Sequence, residues 1–404
     1  MKTTKYSWKK LKWGDLATLE YGKGLRGYQN TEETYPVYGT NGQIGWHKEP
    51  LCHKHGIIIG RKGAYRGIHY SSKPFFVIDT AFYLNPITDS FDVKWAYYQL
   101  LDFDINSLDS GSAIPSTSRD AFYQIRVNLP PLSTQHKIAS ILSAYDELIE
   151  NNTRRIKILE EMAQSLYKEW FVNFRFPGHE KVKMVDSDLG KIPEGWKLKK
   201  LMGIIDYYIG GGWGNENIDD KFSKGAYVIR GTNIPNVSLG NLTSCPYRFH
   251  TLTNFEPRKI KSMDIVFEVS GGSKGQPVGR SVLIVDELLK QFDADVICAS
   301  FCKLIRPNIN IISPFFLAHL LKFIYDNGEI IKYQTQSTGI SNFKFEFFLD
   351  DVKVAIPNNE LMQSFDNIMR LFYKQIHKLG HQNTVLRRTR DLLLPKLISG
   401  EIDV

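Results

Sequence analysis

The chain contains the same order of sequence landmarks twice. Trp8 opens a glycine-rich, β-like stretch that ends at Pro130 and leads into a long helical pattern. Trp196 opens a second such stretch, which ends at Pro357, 227 positions after Pro130, and leads into another helical pattern. The same offset aligns the apolar positions of the two helical patterns: Ile138 with Phe365, Leu142 with Met369, Ile149 with Ile376, Leu159 with Leu386 and Leu166 with Leu393. Such a duplication predicts two binding modules of one kind, held at a set distance by helices.

The composition predicts two or three folded domains with large cores. The chain has 404 residues, of which 42% are hydrophobic, and it contains 24 Phe, 20 Tyr and 7 Trp. Disorder over most of the length is therefore excluded. The formal net charge is +8, which permits contact with DNA without establishing it. Because the basic residues are spread along the chain, they must cluster through folding to form a nucleic-acid surface.

Cysteine usage and hydropathy indicate the cellular compartment. The four cysteines, Cys52, Cys245, Cys298 and Cys302, form no C-x-x-C pair, so free thiols are expected rather than a zinc site. No stretch of about 18 uncharged apolar residues exists, and the first residues lead into no apolar signal segment. We therefore expect a cytoplasmic protein that does not bind membranes.

Each repeat begins with a β-rich part. Short apolar runs bounded by Gly, Pro and Ser, such as 56–60 and 75–78, are typical of buried strands. The pattern also predicts a helix over 93–101 and a polar loop over 111–118. The second repeat is predicted to follow the same order: a strand at 264–267, a helix at 314–325, a polar loop at 336–341 and a strand at 352–357 matching 127–130.

Each repeat ends in a long helix with a coiled-coil pattern. The segment 133–171 has no Pro or Gly, and Ser133 or Thr134 is a plausible N-cap. Its apolar residues alternate at spacings of four and three, with Asn152 the one strongly polar residue on the stripe. The second stripe is interrupted at Asn383 and Arg390, and Gly380 and Pro395 weaken that helix.

An antiparallel register in which paired residue numbers add up to 535 aligns the two stripes. It pairs Ile138 with Leu397, Leu142 with Leu393, Ile149 with Leu386, Ala163 with Phe372, Trp170 with Phe365 and Asn152 with Asn383. A buried Asn without a partner costs about 1–3 kcal/mol, so the register that joins the two asparagines is favoured. The alternative is that any two heptad stripes can be aligned in some way.

The predicted fold class is α+β, with two β-rich domains in pseudo-twofold repeat, separated by two long antiparallel coiled-coil helices. The predicted domains are 1–131, a central helical spacer at 132–176, a second β-rich domain at 177–357 whose linker is 177–195, and a C-terminal helical spacer at 358–404.

A search for catalytic motifs gives only weak matches. The glycine-rich stretches at 39–45 and 271–276 lack the helix or the Gly-Lys-Ser/Thr ending of nucleotide-binding loops. Asp351-Val352-Lys353 has the Asp-x-Lys shape of nuclease strands, but no acidic partner stands out upstream. The histidines show no metal-ligand spacing, and 129–132 lacks the Asn and the aromatic residue of amino-group methyltransferases. The sequence shows no catalytic site and no metal site.

Polar loops beside predicted strands are better candidates for DNA contact. Glycines allow the backbone to approach phosphates, whereas Arg, Asn and Gln can bond base edges. For any single residue a solvated loop is the better interpretation, but for the loops as sets the duplication favours DNA contact. The candidates are Lys23, Arg26, Tyr28, Asn41, Gln43, Arg61, Lys62, Arg66 and Ser112 in the first repeat, and Arg230, Thr232, Asn233, Ser273, Lys274, Gln276, Gln336, Ser337 and Thr338 in the second.

Several motifs in this order resemble one known family. They are Tyr-Pro-Val-Tyr-Gly-Thr-Asn-Gly at 35–42, Leu-Pro-Pro-Leu at 129–132 with Gln135, Ile-Pro-Glu-Gly-Trp at 192–196, and Leu-Leu-Pro-Lys-Leu-Ile-Ser-Gly-Glu-Ile at 393–402. Along its whole length the chain resembles the specificity subunits of type I restriction-modification systems. The family has no fixed base-reading residues, so the resemblance transfers no individual contact.

The resemblance implies a function and a set of partners. Each β-rich domain would be a target-recognition domain that reads one half of a split sequence in double-stranded DNA. The two helical spacers would set the gap and dock two methyltransferase subunits, and restriction subunits would join them. The partner subunits would bind S-adenosylmethionine, ATP and Mg, whereas this chain would bind no cofactor and catalyse nothing.

Two alternatives stay open at the level of sequence. One is a nuclease or methyltransferase that acts on DNA by itself. The other is a protein-interaction adaptor built on the coiled coil. Activity of the purified chain with Mg²⁺ or S-adenosylmethionine would indicate the first, and absence of any DNA sequence preference with partner subunits present would indicate the second.

Overall fold

In a computed structural model of the chain, the described residues are 8–28, 33–109, 111, 114–272, 276–337 and 340–404. The chain forms two compact units. The first lobe comprises Met1–Ile149 and Leu386–Val404, and the second lobe comprises Glu150–Val385. Both long helices therefore contribute residues to both lobes.

The first lobe begins with β-structure and ends in the first long helix. Its strands are β1 (Lys9–Lys12), β2 (Ala17–Tyr21), β3 (Tyr35–Gly39), β4 (Gly42–His47), β5 (Gly56–Gly60), β6 (Ile68–Ser71), β7 (Phe76–Val77), β8 (Ala81–Pro86) and β9 (Arg126–Leu129). Its helices are α1 (Val93–Leu101), α2 (Arg119–Tyr123) and α3 (Leu132–Tyr167), which runs on into the second lobe.

The second lobe has the same kinds of element with additions. Its strands are β10 (Met184–Ser187), β11 (Gly190–Pro193), β12 (Lys197–Lys200), β13 (Ile205–Gly210), β14 (Lys224–Ile229), β15 (Tyr247–His250), β16 (Ile265–Glu268), β17 (Ser270–Gly271), β18 (Ser281–Leu283), β19 (Val296–Cys298), β20 (Cys302–Pro307), β21 (Gln334–Ser337), β22 (Ile340–Phe343) and β23 (Lys353–Ile356). Its helices are α4 (Ile234–Ser238), α5 (Leu252–Phe255), α6 (Asp286–Leu289), α7 (Pro314–Asp326), α8 (Phe345–Asp351) and α9 (Asn359–Ile398).

The sheets of the two lobes have the same topology. In the first lobe, strands β2-β8-β5-β6 form an antiparallel sheet, β4-β3-β7 form a sheet in which β3 and β7 are parallel, and β1 pairs with β9. In the second lobe the corresponding orders are β13-β20-β16-β18, then β15-β14-β19 with β14 and β19 parallel, and β12 with β23. The duplication seen in the sequence, including the matches of 264–267, 314–325 and 352–357, is confirmed by this topology.

Individual backbone hydrogen bonds recur at equivalent positions. They define a residue-by-residue correspondence between the sheets. The bond from Gly22 N to Ala81 O in the first lobe matches that from Gly211 N to Cys302 O in the second, and the bond from Ile78 N to Tyr38 O matches that from Ala299 N to Ile229 O. Likewise, the bond from Arg61 N to Thr80 O matches that from Val269 N to Phe301 O, and the bond from Gly60 N to Gly67 O matches that from Glu268 N to Arg280 O. By this correspondence Gly60 and Gly67 occupy the places of Glu268 and Arg280. The two lobes can therefore be compared position by position.

Two segments differ from the sequence prediction. The predicted polar loop at 336–341 contributes instead to the strands β21 and β22, which pair antiparallel, and β22 also pairs with β17. The predicted linker at 177–195 contains the hairpin of β10 and β11. Both segments are rich in polar residues, and their strands have few buried positions, so hydrophobic periodicity gives no signal for them.

Buried aromatic residues and capped helices build each core. In the first lobe Trp13, Trp95 and Phe122 are fully buried. Helix α1 begins after Asp92, whose carboxylate accepts a hydrogen bond from Trp95 N at 2.7 Å. In the second lobe Ser313 caps α7 in the same way, since its hydroxyl accepts from the backbone N–H groups of the first turn. These caps fix where each helix starts over its sheet.

The two long helices are continuous. Helix α3 has 36 residues and α9 has 40, which correspond to lengths of about 54 and 60 Å. Helix α3 begins at Leu132, before the predicted N-caps Ser133 and Thr134, because Gln135 organises its start. The Gln135 amide donates to Pro130 O at 2.8 Å and accepts from Asp92 N at 2.7 Å. Pro395 lies inside the last turns of α9, where few helical hydrogen bonds are left to lose.

Within each lobe the helices pack in the predicted antiparallel register. In the first lobe Ile138, Leu142 and Leu397 belong to one apolar cluster with Leu393. In the second lobe Ile156, Ile376 and Leu379 cluster with Leu159, and the ring centroids of Trp170 and Phe365 lie 6.1 Å apart. The paired numbers again add up to 535. The predicted fold class, α+β with two β-rich domains and two long antiparallel helices, is confirmed.

The two asparagines on the stripe do not bond to each other. Asn152 and Asn383 are both buried, but the Asn383 amide donates to Thr153 Oγ1 at 3.2 Å. In the described part of the chain, Asn383 Oδ1 has no hydrogen-bond donor. Heptad patterns fix which residues face a partner helix but not which of two adjacent side chains makes the bond, and here Thr153 takes the place predicted for Asn152.

A buried tyrosine on α1 links this helix to the two long helices. Tyr98 on α1 donates to Asp146 Oδ2 at 2.5 Å, and Arg390 on α9 donates to Asp146 Oδ1, also at 2.5 Å. Replacing Tyr98 with Phe is expected to lower the free energy of unfolding by about 1–3 kcal/mol, because the Asp146 carboxylate loses a buried donor. Urea denaturation measures the change. Tyr97→Phe is the matched control, and an equal effect in both variants would contradict the role of the bond.

Candidate nucleic-acid interface

Loops at the strand ends of the second lobe enclose a cleft of about 740 Å³. The loops follow β13, β14, β16 and β19, so four strands position them. The lining residues are Trp213, Arg230, Gly231, Thr232, Glu268, Ser270, Gly271, Gly272, Gln276, Arg280, Ala299, Ser300 and Phe301. The cleft brings together the predicted candidates Arg230, Thr232 and Gln276.

A buried ion pair lines the cleft. Glu268 is 2% exposed, and its carboxylate accepts hydrogen bonds from Arg280 Nε at 2.8 Å and Nη2 at 2.6 Å. These bonds raise the pKa of the Arg280 guanidinium above its ordinary value. Gly231 leaves room for the pair because it has no side chain: a Cβ at this position would lie 2.3 Å from Glu268 Oε1. The pair therefore holds a charged, planar group rigidly against the cleft.

Exposed aromatic rings form part of the cleft wall. Trp213 is 40% exposed and Phe301 is 56% exposed. The Arg248 guanidinium lies 4.8 Å from the Trp213 ring centroid and pairs with Glu216 at 2.6 Å. Large apolar rings left in water beside polar groups are typical of surfaces that bind a partner. The cleft thus offers stacking surfaces together with hydrogen-bonding groups.

The Asn233 side chain is buried, whereas the sequence predicted an exposed side chain that contacts DNA. It is 1% exposed, and its Oδ1 accepts from Arg230 N at 2.9 Å and Arg230 Nε at 3.0 Å. Its amide nitrogen donates to Ser244 O and Ser244 Oγ. The turn after β14 folds this side chain inwards, so Asn233 orients Arg230 and does not offer its amide to the cleft.

The equivalent loops of the first lobe carry different side chains. Lys23, Arg26, Asn41 and Gln43 are exposed, and Tyr28, Arg61 and Lys62 are partly buried. By the hydrogen-bond correspondence, Asn41 occupies the place of Thr232, and Lys62 that of Ser270. The predicted candidates Lys23, Asn41, Arg61 and Lys62 therefore lie at the same strand ends that form the cleft in the second lobe.

Two arginines lie against one tyrosine in this first-lobe region. The guanidinium carbons of Arg61 and Arg119 each lie 4.7 Å from the ring centroid of Tyr21, which is 47% exposed. Arg61 Nη1 also donates to Asp79 O at 2.9 Å. Cation–π contacts and this hydrogen bond hold the two cations near a partly exposed ring, which is a suitable arrangement for a polyanionic ligand.

Arg66 is not available for the DNA contact predicted for it. It is 4% exposed, its backbone N–H donates to Asn106 Oδ1 at 2.9 Å, and its Nη2 donates to Asn106 O at 2.8 Å. Asp109 lies 3.9 Å from its Nη1. Because the loop 61–67 packs over the turn at 105–107, this arginine ties two loops together instead of facing outwards.

The other predicted candidates fall in three groups. Ser112, Ser273, Lys274 and Thr338 lie outside the described residues. Gln336 is exposed on β21 and does not line the cleft. Ser337 ends the same strand, where its backbone pairs with Ile340.

Sequence reasoning missed most of the residues that define the two regions. Tyr21, Arg119, Trp213, Glu268, Arg280 and Phe301 were not among the candidates. The run Gly-Gly-Gly-Trp-Gly at 210–214 was a usable signal, because a Trp flanked by glycines has little neighbouring side-chain cover. Glu268 and Arg280 are twelve residues apart, and only strand pairing brings them together.

The cysteines and acidic groups of the described residues form no cluster suited to a metal ion. Cys245, Cys298 and Cys302 are buried, Cys52 is partly buried, and all four are free thiols. Burial raises the pKa of Cys298 to about 12 and that of Cys245 to about 11. Across the described ranges, no group of three or more His, Cys, Asp or Glu residues is arranged to hold a metal ion.

In the part of the chain that the structure describes, no helix combines the length and apolar character needed to cross a membrane.

Comparison with known proteins relates this chain to type I specificity subunits. Residues 6–161 match the model of the type I restriction modification DNA specificity domain. The MjaIX specificity subunit of a type I restriction enzyme from Methanocaldococcus jannaschii is 24% identical over 310 residues, which cover 74% of this chain and 66% of that protein. Residues 6–161 therefore resemble a type I specificity domain, and most of the chain is similar to a type I specificity subunit.

A further relative and a solved structure are also similar to this chain. The MjaVIII specificity subunit of the same organism is 28% identical over 165 residues, which cover 40% of this chain and 38% of that protein. Both alignments span less than two thirds of these relatives' own lengths. The crystal structure of a type I restriction-modification S subunit from M. genitalium superimposes with a TM-score of 0.60 at 17% identity, over 98% of this chain and 97% of that one. The two chains therefore share this fold.

Proposed function

We propose that this chain is the DNA-recognition subunit of a type I restriction-modification complex, and that each lobe reads one half of a bipartite target in double-stranded DNA. The observation that carries the proposal is the repeated pair of sheets, whose equivalent strand ends present different side chains. Asn41 and Lys62 in the first lobe stand where Thr232 and Ser270 stand in the second. A repeated scaffold with unlike loops suits one kind of task performed on two different sequences.

The chemistry of both regions supports a nucleic-acid ligand. Exposed rings, arginines held by planar contacts and exposed amides can stack on bases, contact phosphates and bond base edges. The first-lobe region is the more basic, with Arg61 and Arg119 against Tyr21. The second-lobe cleft has the ion pair of Glu268 and Arg280. We propose that these two regions make the base contacts of the two halves.

We further propose that the helices α3 and α9 set the gap between the two halves. Each helix is unbroken, and the register that joins them is built from apolar pairs in both lobes. In this proposal the functional modules are 1–131 and 177–357 for recognition, and 132–176 and 358–404 for spacing. A rigid pair of helices fixes a distance better than a flexible linker does.

The helices also support partner docking. Several apolar side chains on them are exposed: Leu148, Ile158, Met162, Leu371, Val385 and Leu392. Exposed apolar residues on long helices suit coverage by other proteins. We propose that these faces bind two methyltransferase subunits, that restriction subunits join the assembly, and that the partners bind S-adenosylmethionine, ATP and Mg. A cytoplasmic location, where chromosomal DNA lies, is part of the same proposal.

The direct test is to sequence methylated adenines in cells that carry the complete system. We expect one split motif with a constant gap, and no such motif in cells that lack this chain. Exchanging the first-lobe loops should change one half only. A continuous motif, or DNA cleavage or methylation by the purified chain alone, would contradict the proposal.

A matched insertion tests the spacing role. Adding seven residues after Ile149 in α3 and seven after Val385 in α9 keeps the antiparallel register, because one heptad preserves the packed face. The helices become about 10 Å longer, so we expect the gap to grow by about three base pairs while both half-sites stay the same. The methylated motif is the measurement. As a control, the α3 insertion alone should impair assembly, since the two stripes no longer match. An unchanged gap in the double insertion would show that the helices do not set it.

A further inference from the structure

We propose that Arg280 is the side chain through which the second lobe reads a guanine, and that Glu268 is the positioning residue that holds it in place. This inference rests on the proposed function, to which it adds a base type and a specificity-determining residue. It starts from the geometry of the ion pair in the second-lobe cleft.

The pair uses only one edge of the guanidinium. Glu268 accepts from Nε at 2.8 Å and from Nη2 at 2.6 Å. Within the described part of the chain no acceptor bonds to Nη1, and the group lines the cleft. The free end of the fork therefore consists of Nη1 and the second hydrogen of Nη2. Two parallel N–H groups match the O6 and N7 acceptors that guanine shows in the major groove.

Glu268 also fixes the side-chain conformation of Arg280 before DNA binds. An arginine side chain loses rotamer entropy when it is fixed in one conformation. Here much of that cost is met during folding, because the carboxylate is 2% exposed and bonds both nitrogens. A side chain that is already fixed binds with a smaller loss of freedom. The same rigidity makes the fork selective for one arrangement of acceptors.

The charge of the pair favours a base edge over a phosphate. The Glu268 carboxylate offsets the positive charge of Arg280 within one hydrogen-bonded unit. A phosphate would approach a buried negative charge together with the positive one, and it would be repelled by the former. A guanine edge has no net charge and needs only the two donors. The ion pair is therefore better suited to direct readout than to backbone contact.

The described positions of the first lobe that correspond to this pair hold no charged side chain. Gly60 N donates to Gly67 O at 2.8 Å, as Glu268 N does to Arg280 O, so two glycines occupy the equivalent positions. The residue that packs against these positions also differs in size between the lobes. Gly231 leaves room for the Glu268 side chain in the second lobe, whereas its equivalent in the first lobe is Thr40, whose oxygen atoms would lie 2.7 and 2.9 Å from a Cβ on Gly60. The guanine reader is thus confined to one lobe.

The experiment uses the full chain assembled with its partner subunits and measures binding to a DNA library that varies every position of the methylated motif. The variants are Arg280→Lys, which keeps the charge beside Glu268, and the double variant Glu268→Gln/Arg280→Gln, which leaves no buried lone charge. We expect the preference for guanine at one position of one half-site to fall by about 5- to 150-fold, the range for one bidentate base contact. The other half-site and the gap should stay unchanged.

A second ion pair in the same lobe provides the matched control. Asp264 is 1% exposed and accepts from Arg306 Nε at 2.8 Å and Nη2 at 2.7 Å. It precedes β16, whereas Glu268 ends that strand, and neither Asp264 nor Arg306 lines the cleft. Arg306→Lys and Asp264→Asn/Arg306→Gln should lower thermal stability without changing the base preference at any position.

The possible outcomes separate the inference from the proposed function. Uniform weakening at all positions would identify Arg280 as a phosphate contact and overturn the inference. So would an unchanged motif, or relaxation at an A·T position. In each of these cases a split motif in the parent complex would leave the proposed function standing. Absence of any split motif in the parent complex would instead refute the proposed function.

Discussion

Lowering the pH from 7 to 5 is expected to destabilise the second lobe by about 4 kcal/mol through two buried histidines. Burial lowers the pKa of His319 to about 3 and that of His377 to about 4. Both line a small cavity between α3, α7 and α9, together with Glu160, Lys322 and Tyr373. His319 Nδ1 donates to Gln164 Oε1 at 2.9 Å. Neither ring nitrogen of His377 bonds to another described residue.

The direction of this pH dependence follows from the difference in histidine pKa between the unfolded and the folded chain. In the unfolded chain both groups protonate near their ordinary pKa of about 6.5, whereas in the folded chain they stay neutral until the pH is far lower. Their contribution to stability is therefore complete above about pH 6.5 and is lost as the pH falls towards the folded values. Between pH 6.5 and 5, the contribution of each histidine to the free energy of unfolding falls by about 1.36 kcal/mol per pH unit. Burial raises the pKa of Glu160, which opposes this loss, so only removal of the histidines isolates their effect.

Urea denaturation at a series of pH values measures this dependence. The variant His319→Gln/His377→Leu should lose much less stability than the parent between pH 7 and 5, whatever its stability at pH 7. His136→Gln is the control, because the His136 side chain is 64% exposed, and it should follow the parent. If the variant lost as much stability as the parent between pH 7 and pH 5, the two rings would have to take up protons in the folded state.

The parts of the fold that the sequence predicts are those that depend on local patterns repeated twice. Helices α1, α7, α3 and α9 follow from apolar periodicity and from caps, and the pairing of Trp170 with Phe365 follows from heptad spacing. The duplication adds information that a single repeat lacks. It doubles each weak strand signal, so that β5 and β16 support each other's assignment.

The candidate site was harder to predict because its geometry is created by tertiary pairing. Asn233 and Arg66 look like exposed loop residues in the sequence, yet turns fold both side chains inwards to bond Arg230 and Asn106. Arg280 follows a segment rich in glycine, and nothing local indicates that it faces Glu268. For a similar reason Thr153, and not Asn152, is the partner of Asn383. Which of two adjacent residues makes the hydrogen bond depends on side-chain geometry that the sequence does not give.

Gly380 shows how such tertiary contacts change the meaning of a residue. Its position inside α9 suggests a weak point, because Gly costs a helix about 1 kcal/mol relative to Ala. In the second lobe, however, the turn after α4 packs directly on this glycine. A Cβ at position 380 would lie 2.2 Å from Leu239 O and 2.9 Å from Gly240 Cα. Gly240 itself has a φ of +73°, so the backbone of this turn has little freedom to move away.

Gly380→Ala is therefore expected to destabilise the second lobe by about 2 kcal/mol or more, the cost of forcing a methyl group into a packed contact, although the same change would stabilise an isolated helix. Thermal and urea unfolding measure the change. Gly203→Ala is the matched control, because an added Cβ there meets nothing within 4 Å, and its effect should stay within about 0.5 kcal/mol. If Gly380→Ala raised the unfolding midpoint, helix propensity would outweigh packing, and the turn at Leu239 and Gly240 would have to lie away from α9 in solution. A loss of stability confined to Gly380→Ala would instead show that the second lobe needs the backbone of this turn in contact with the helix.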